Sequence, residues 1–99
     1  MNVVDSSGWI EFLRGGKNRL FFAVPLEDTE SLLVPTLCVY EVRKKLKQEV
    51  GDRAVQEATA AMRQGRLVDL DLDTALSASD LSLEHGLAMA DSIILATAC

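Results

Sequence analysis

The sequence predicts an α/β fold with a parallel sheet. Three observations carry that reading. Short apolar segments at Val3-Val4 and Leu32-Leu33-Val34, and the alternating Arg66 to Leu70, have strand length. Each is followed by stretches with helical spacing, giving the order β-α-α-β-α-α-β-α-α, the signature of crossover-linked strands. The 99 residues are 48% hydrophobic and 25% charged, enough for one modest core and ordinary for a globular chain. Residues 1–99 are therefore read as a single domain.

The elements follow in order. Val3-Val4 stops at Asp5, and Asp5-Ser6-Ser7-Gly8 is rich in helix-capping residues. Trp9, Ile10 and Leu13 then repeat at helical spacing until Gly15-Gly16 breaks the helix. Arg19 to Val24 reads as a second helix limited by Pro25. Leu32 to Val34 reads as a buried strand closed by Pro35, with Thr36 as the candidate cap of a helix running to Gly51. Asp52 opens the next helix. Its apolar face is Val55, Ala58, Thr59 and Met62, and Gly65 is expected to end it as a left-handed C-cap. After the third strand, Asp73-Thr74 caps a helix through Leu83, stopped by His85-Gly86, and Leu87 to Cys99 forms the last helix. In parallel sheets the working face lies at the carboxyl ends of the strands.

Composition excludes several classes. No apolar run approaches the roughly 18–20 residues needed to cross a bilayer. The start Met-Asn-Val-Val-Asp lacks the basic region of a signal peptide. Cys38 and Cys99 have no metal-like spacing and read as reduced thiols, so the expected location is cytoplasmic. The net charge is −5 and uneven. Residues 1–66 hold all ten bases and nine acids; residues 67–99 hold six acids and no base. A duplex-DNA binder carries a basic face; here only Arg43-Lys44-Lys45-Lys47 is concentrated. A nucleic-acid role would need a metal to offset the acids, a partner, or a second copy.

Three acids are candidates for chemistry. Asp5 stands at the end of the first strand, Glu41 two turns into the helix after the second strand, and Asp91 in the apolar last helix. Three carboxylates converging at strand ends would suit a hard divalent ion such as Mg²⁺, with separations of roughly 4–8 Å. Such a site can activate water for phosphodiester cleavage. Each acid also has a structural account: Asp5 and Asp91 as helix caps, Glu41 as a surface partner of Lys44 and Lys45. Asp69, Asp71 and Asp73 lack the glycine and terminal glutamate of a calcium loop and read as solvated acids. His85 reads as a helix C-terminal histidine. Gly15-Gly16-Lys17 lacks P-loop spacing. Trp9, Phe12, Phe21 and Phe22 are spaced for core or interface, more than two short helices need for one side of a small core.

The residues also carry a resemblance. Val3-Val4-Asp5-Ser6-Ser7-Gly8-Trp9-Ile10-Glu11-Phe12-Leu13 resembles the opening of a PIN domain of the VapC toxin type. Leu33-Val34-Pro35-Thr36-Leu37-Cys38-Val39-Tyr40-Glu41-Val42 is similar to that family's second acidic motif, and Leu87 to Ala98 around Asp91 to its third. The resemblance implies a three-layer α/β/α fold and an endoribonuclease that is a hydrolase dependent on Mg²⁺ or Mn²⁺. It implies the toxin of a type II toxin–antitoxin pair, usually a homodimer, inhibited by a VapB-like antitoxin. Asp5, Glu41 and Asp91 match the family's catalytic and metal-binding acids. Ser6 or Ser7 matches a small hydroxyl residue that steadies metal-bound water. Part of the aromatic set is expected to face the antitoxin, which would send an arginine to the acidic site. The family continues with a strand bearing a fourth acid, a helix and a final short strand, which this chain lacks. The domain is therefore expected to be incomplete at its C-terminus, with the edge of the first strand uncovered and a second copy able to pair there. The alternative function is a catalytically inactive PIN-like module that dimerises or binds an antitoxin.

Overall fold

A computed structural model describes residues 2–98. Its element order is β1 (Asn2–Val3), α1 (Ser6–Leu13), α2 (Arg19–Glu27), β2 (Leu32–Pro35), α3 (Thr36–Glu49), α4 (Asp52–Met62), β3 (Arg66–Val68), α5 (Leu72–His85) and α6 (Met89–Ala98), with a short 3-10 turn at Thr29–Ser31. All strand pairings are parallel and the order is β1-β2-β3. Asn2 aligns with Leu32 and Val3 with Leu33; Val34 aligns with Leu67 and Pro35 with Val68. The expected α/β class with a parallel sheet is the observed one.

β2 lies in the middle, and its side chains explain the layering. Leu32 and Val34 point to one face and are fully buried, while Leu33 on the opposite face is half-buried. Successive strand side chains alternate between faces, so helices cover both sides of this strand. α3 packs with α4, α5 with α6, and α6 also lies against β1 and β2. The core gathers Val4, Trp9, Leu26, Leu32, Val34, Cys38, Val42, Leu46, Val55, Ala58 and Met62. Among the described residues β1 pairs only with β2. Its other edge borders a groove of about 580 Å³ between α2 and α6, lined in part by Asn2 to Asp5, Phe22 and Ile94.

Several boundaries differ from the sequence reading, each for a physical reason. α2 does not stop at Val24: Pro25 lies inside it, in the last turn. Proline leaves the carbonyl four residues back without its helical partner, and that residue, Phe21, is exposed, where water can serve. Gly65 is not a left-handed cap; the positive-φ glycines are Gly15, Gly51 and Gly86. It is small because the chain crosses the sheet there: a Cβ on Gly65 would lie 2.9 Å from Val34 Cγ2 and 3.1 Å from Leu32 Cδ2. Pro35, not Thr36, occupies the N-cap position of α3, with no side-chain cap bond. Asp71, not Asp73, caps α5, its Oδ1 accepting the Thr74 N–H at 2.8 Å. That bond holds the Asp71 carboxyl below its ordinary pKa. α5 runs to His85, and Gly86 ends it with φ 65°. β3 closes at Val68 rather than Leu70, and the last helix begins at Met89 rather than Leu87. The final residue of that predicted helix, Cys99, lies outside the described residues.

Candidate active site

The site is built where β1 and β2 end. Val4 is buried, and Asp5 follows it in extended conformation (φ −71°, ψ 171°) as the N-cap of α1. Its Oδ1 accepts the Gly8 N–H at 2.8 Å, and its carbonyl accepts the Trp9 N–H at 3.1 Å. The capping account of Asp5 is thus correct, yet it uses one carboxylate oxygen. The other meets no protein donor among the described residues, and the residue is solvent-exposed. Gly8 lets α1 start this close to the strand. A Cβ there would lie 2.6 Å from Val4 Cγ1 and 2.9 Å from Phe22 Cε1.

Glu41 comes from the second turn of α3. Val42 and Cys38 of the same helix are fully buried and fix its rotation on the sheet. The Ser6 hydroxyl donates to Glu41 Oε1 at 2.7 Å, across 35 positions of sequence. The surface-bridge account of Glu41 is not realised. Lys44 lies over the Tyr40 ring, 5.7 Å from its centroid, and Lys45 pairs with Glu49 at 2.9 Å. Among the described residues Glu41 has no ion-pair partner. Asp5 and Glu41 are therefore joined through adjacent residues and one hydrogen bond, and Ser6 rather than Ser7 makes the link.

Cys38 sits beneath the pair. Its Sγ is 3.9 Å from the Val4 carbonyl oxygen. Burial pushes its thiol up to about 11, and the charges of Glu41 and Asp5 push the same way against the Ser6 hydrogen bond. The neutral thiol is a poor metal ligand, because the thiolate is the ligating form.

Asp91 lies in the first turn of α6 and is exposed, so it is not the N-cap of that helix. The adjacent Ser92 is buried and donates to the Met89 carbonyl at 2.8 Å, closing the first turn. Asp91, Ile94 and Ala98 fall on one helix face at spacings of three and four. Ile94 and Ala98 line the groove beside Asn2 to Asp5. α6 thus turns the Asp91 face toward the β1 side of the molecule. The three acids are not drawn into one ion-sized group: among the described residues no three His, Cys, Asp or Glu side chains are gathered closely enough to hold a metal ion.

The donor set is nonetheless hard. It comprises the Asp5 and Glu41 carboxylates and the Ser6 hydroxyl, open to solvent on the Asp5 side. Mg²⁺ commonly takes one or two protein carboxylates and keeps several waters, which this pair and its exposure fit. The Tyr40–Lys44 contact beside Glu41 escaped the sequence reading. Its signal was an aromatic and a lysine at i and i+4, next to the acid.

Other features fall outside the site. His85 lies in the last turn of α5, where a cation is favoured by the helix dipole. Trp9 is 1% exposed and packs in the core, its indole N–H without an acceptor among the described residues. Phe12 and Phe22 are partly buried against the core, and Phe21 is 76% exposed.

Comparison with known proteins places this geometry in context. Among solved structures, a toxin–antitoxin complex from Klebsiella pneumoniae contains a chain that superposes with TM-score 0.80 at 22% identity, over 99% of this chain and 78% of that one. The VapC20 toxin of Mycobacterium tuberculosis, which cleaves the sarcin-ricin loop, superposes with TM-score 0.76 at 20% identity, over 96% of this chain and 78% of that one. Both likenesses are of fold. A search of curated protein sequences finds no significant match. The sequence model of the PIN domain matches residues 3–99, a span that includes Asp5, Ser6, Glu41 and Asp91. This chain belongs to the PIN domain family.

Proposed function

We propose that this protein is a VapC-type toxin of a type II toxin–antitoxin pair, an endoribonuclease that hydrolyses RNA phosphodiester bonds with a divalent cation. The observation that carries the reading is the Ser6–Glu41 bond. It ties Glu41, in the second turn of the helix after β2, to the residue that follows Asp5 at the end of β1, in a chain of the PIN family. Asp5 and Glu41 would hold Mg²⁺ or Mn²⁺, with Asp91 as the third acid. The bound ion supplies the positive charge that offsets an RNA phosphate and acidifies water. The protein's own groups do the rest. The α1 cap fixes the Asp5 carboxylate, Ser6 fixes Glu41, and Asp91 adds negative charge from the first turn of α6. The solved toxin that cleaves the sarcin-ricin loop supports RNA as the substrate class.

The solved toxin–antitoxin complex supports an antitoxin partner. On this chain its docking surface is α2, where Leu20, Phe21 and Val24 are each at least 76% exposed. These spacings form one outward apolar side, and an arginine from the antitoxin would satisfy the Asp5–Glu41 pair in place of the cation. Homodimerisation and a cytoplasmic location belong to the same proposal. Among the described residues no helix is long and apolar enough to cross a membrane.

The alternative, a catalytically inactive PIN module that binds an antitoxin or a second copy, is favoured by the lack of a gathered three-acid group. Incubation of purified protein with total RNA and Mn²⁺ separates the two. The enzyme reading expects discrete cleavage products, abolished by EDTA and by Asp5→Asn. Intact RNA under all conditions would refute it and leave the binding module.

A further inference from the structure

The outward side of α3 carries an arrangement that neither the acids nor the antitoxin surface uses. Tyr40, directly before Glu41, is 60% exposed. The Lys44 ammonium lies 5.7 Å from the ring centroid. Tyr40, Glu41, Lys44 and Lys45 line one hollow of about 220 Å³. Lys45 also lines a second hollow, of about 550 Å³, with Ser7 and Glu11 of α1 and with Arg14, the C-cap of that helix. The two hollows thus share Lys45. Glu49 is shared by Lys45 at 2.9 Å and Arg14 at 2.8 Å, one negative charge between two positive ones.

We propose that this surface is the track for single-stranded RNA, with Tyr40 stacking one base beside the scissile position and Lys44, Lys45 and Arg14 meeting successive phosphates. The inference rests on the ribonuclease reading and names where its substrate lies. Single-strand binders combine cations along the backbone with aromatic platforms for bases. Here the aromatic and a cation are already in contact, so a nucleotide meets both at once. Charge asymmetry supports the same side. Residues 67–99 contain six acids and no base, so a polyanion is repelled from α5 and α6 and drawn to α3, which carries Arg43, Lys44, Lys45 and Lys47 against Glu41 and Glu49. The alternation of Lys45 and Arg14 with Glu49 weakens affinity for rigid duplex phosphate rows while leaving a flexible strand able to compete for each cation.

The test uses the intact protein and a fluorescein-labelled 12-nucleotide single-stranded RNA of mixed sequence, in EDTA so that no cleavage intervenes. Fluorescence anisotropy is expected to give saturable binding that weakens steeply with salt. Tyr40→Ala should lower affinity by about 5- to 100-fold, Tyr40→Trp should restore it, and Lys44→Gln should reduce the salt dependence. Equal affinity for the wild type and Tyr40→Ala would overturn the track. If the wild type still cleaves RNA in Mn²⁺, the enzymatic reading survives that result. Conversely, a Tyr40-dependent affinity in a protein that never cleaves would uphold the track and remove the ribonuclease. Since Tyr40 is largely exposed, the variants should melt with the wild type; recovery by tryptophan and not by leucine separates stacking from mere bulk.

Discussion

Asp5 does two jobs that substitution can separate. Its Oδ1 caps α1 through the Gly8 N–H, while its charge belongs to the candidate cation site. Asparagine keeps a side-chain oxygen that can accept the same bond; alanine does not. α1 has only eight residues, so it depends on its first turn. Loss of an N-cap to alanine costs about 0.5–2 kcal/mol, and about 1 kcal/mol moves the midpoint of a domain this size by about 4–8 °C. Asp5→Ala should therefore melt several degrees below the wild type. Asp5→Asn should lose only the interaction of its charge with the helix dipole, at most about 1 kcal/mol. Both should abolish Mn²⁺-dependent cleavage. Circular-dichroism melts without metal, paired with RNA cleavage in Mn²⁺, read both effects. If asparagine destabilises as much as alanine, the cap is not what Asp5 contributes to stability. If asparagine cleaves normally, its charge is not needed at the site.

Further expectations follow from packing and burial. Leu32→Ala, at a fully buried position of the central strand, should cost about 2–5 kcal/mol in urea denaturation, whereas Leu83→Ala, 87% exposed on α5, should stay within about 0.5 kcal/mol of the wild type. Gly65→Ala should cost about 1–3 kcal/mol by overpacking, since its Cβ would press on Val34 and Leu32; an unchanged midpoint would show that the crossing can relax. The Cys38 thiol is raised from 9.0 to about 11, so the folded protein keeps a proton that the unfolded chain loses. Its contribution is complete below pH 9 and should decline as pH rises toward 11. Measured as the difference between Cys99→Ser and Cys99→Ser/Cys38→Ala, stability should fall across that window only in the variant retaining Cys38.

The first two strands were legible as short apolar segments bounded by a polar residue or proline and the third as an alternating one; Asp5 then followed from the end of the first strand and Glu41 from the helix after the second. The sequence disclosed His85-Gly86 as a helix stop because a glycine there ends the helical pattern. The same logic failed at Gly65. A glycine after a helix looks identical whether it supplies a left-handed turn or merely space, and only the approach of Leu32 and Val34 distinguishes them. Pro25 misled because a helix interior and a last turn differ in whether the freed carbonyl reaches water, which depends on tertiary placement. At the site, residue types identified the acids, but not which serine holds Glu41. That choice is set by the rotation of α1 about the Asp5 cap, a consequence of Gly8 packing on Val4 and Phe22. Nor could spacing tell that Lys44 and Lys45 turn away from Glu41, toward Tyr40 and Glu49.

Direct counting of bound Mn²⁺ by electron paramagnetic resonance tests whether these acids form a cation site. Free Mn²⁺ gives a sharp six-line signal that bound ion loses, so titration yields stoichiometry without any reaction. The account predicts one ion per chain in the wild type, lost in Asp5→Asn and in Glu41→Gln, weakened in Asp91→Asn, and weakened in Ser6→Ala, where Glu41 loses its tether. Wild-type protein that leaves the free-ion signal unchanged, or that binds Mn²⁺ equally well without Asp5 and Glu41, would contradict it.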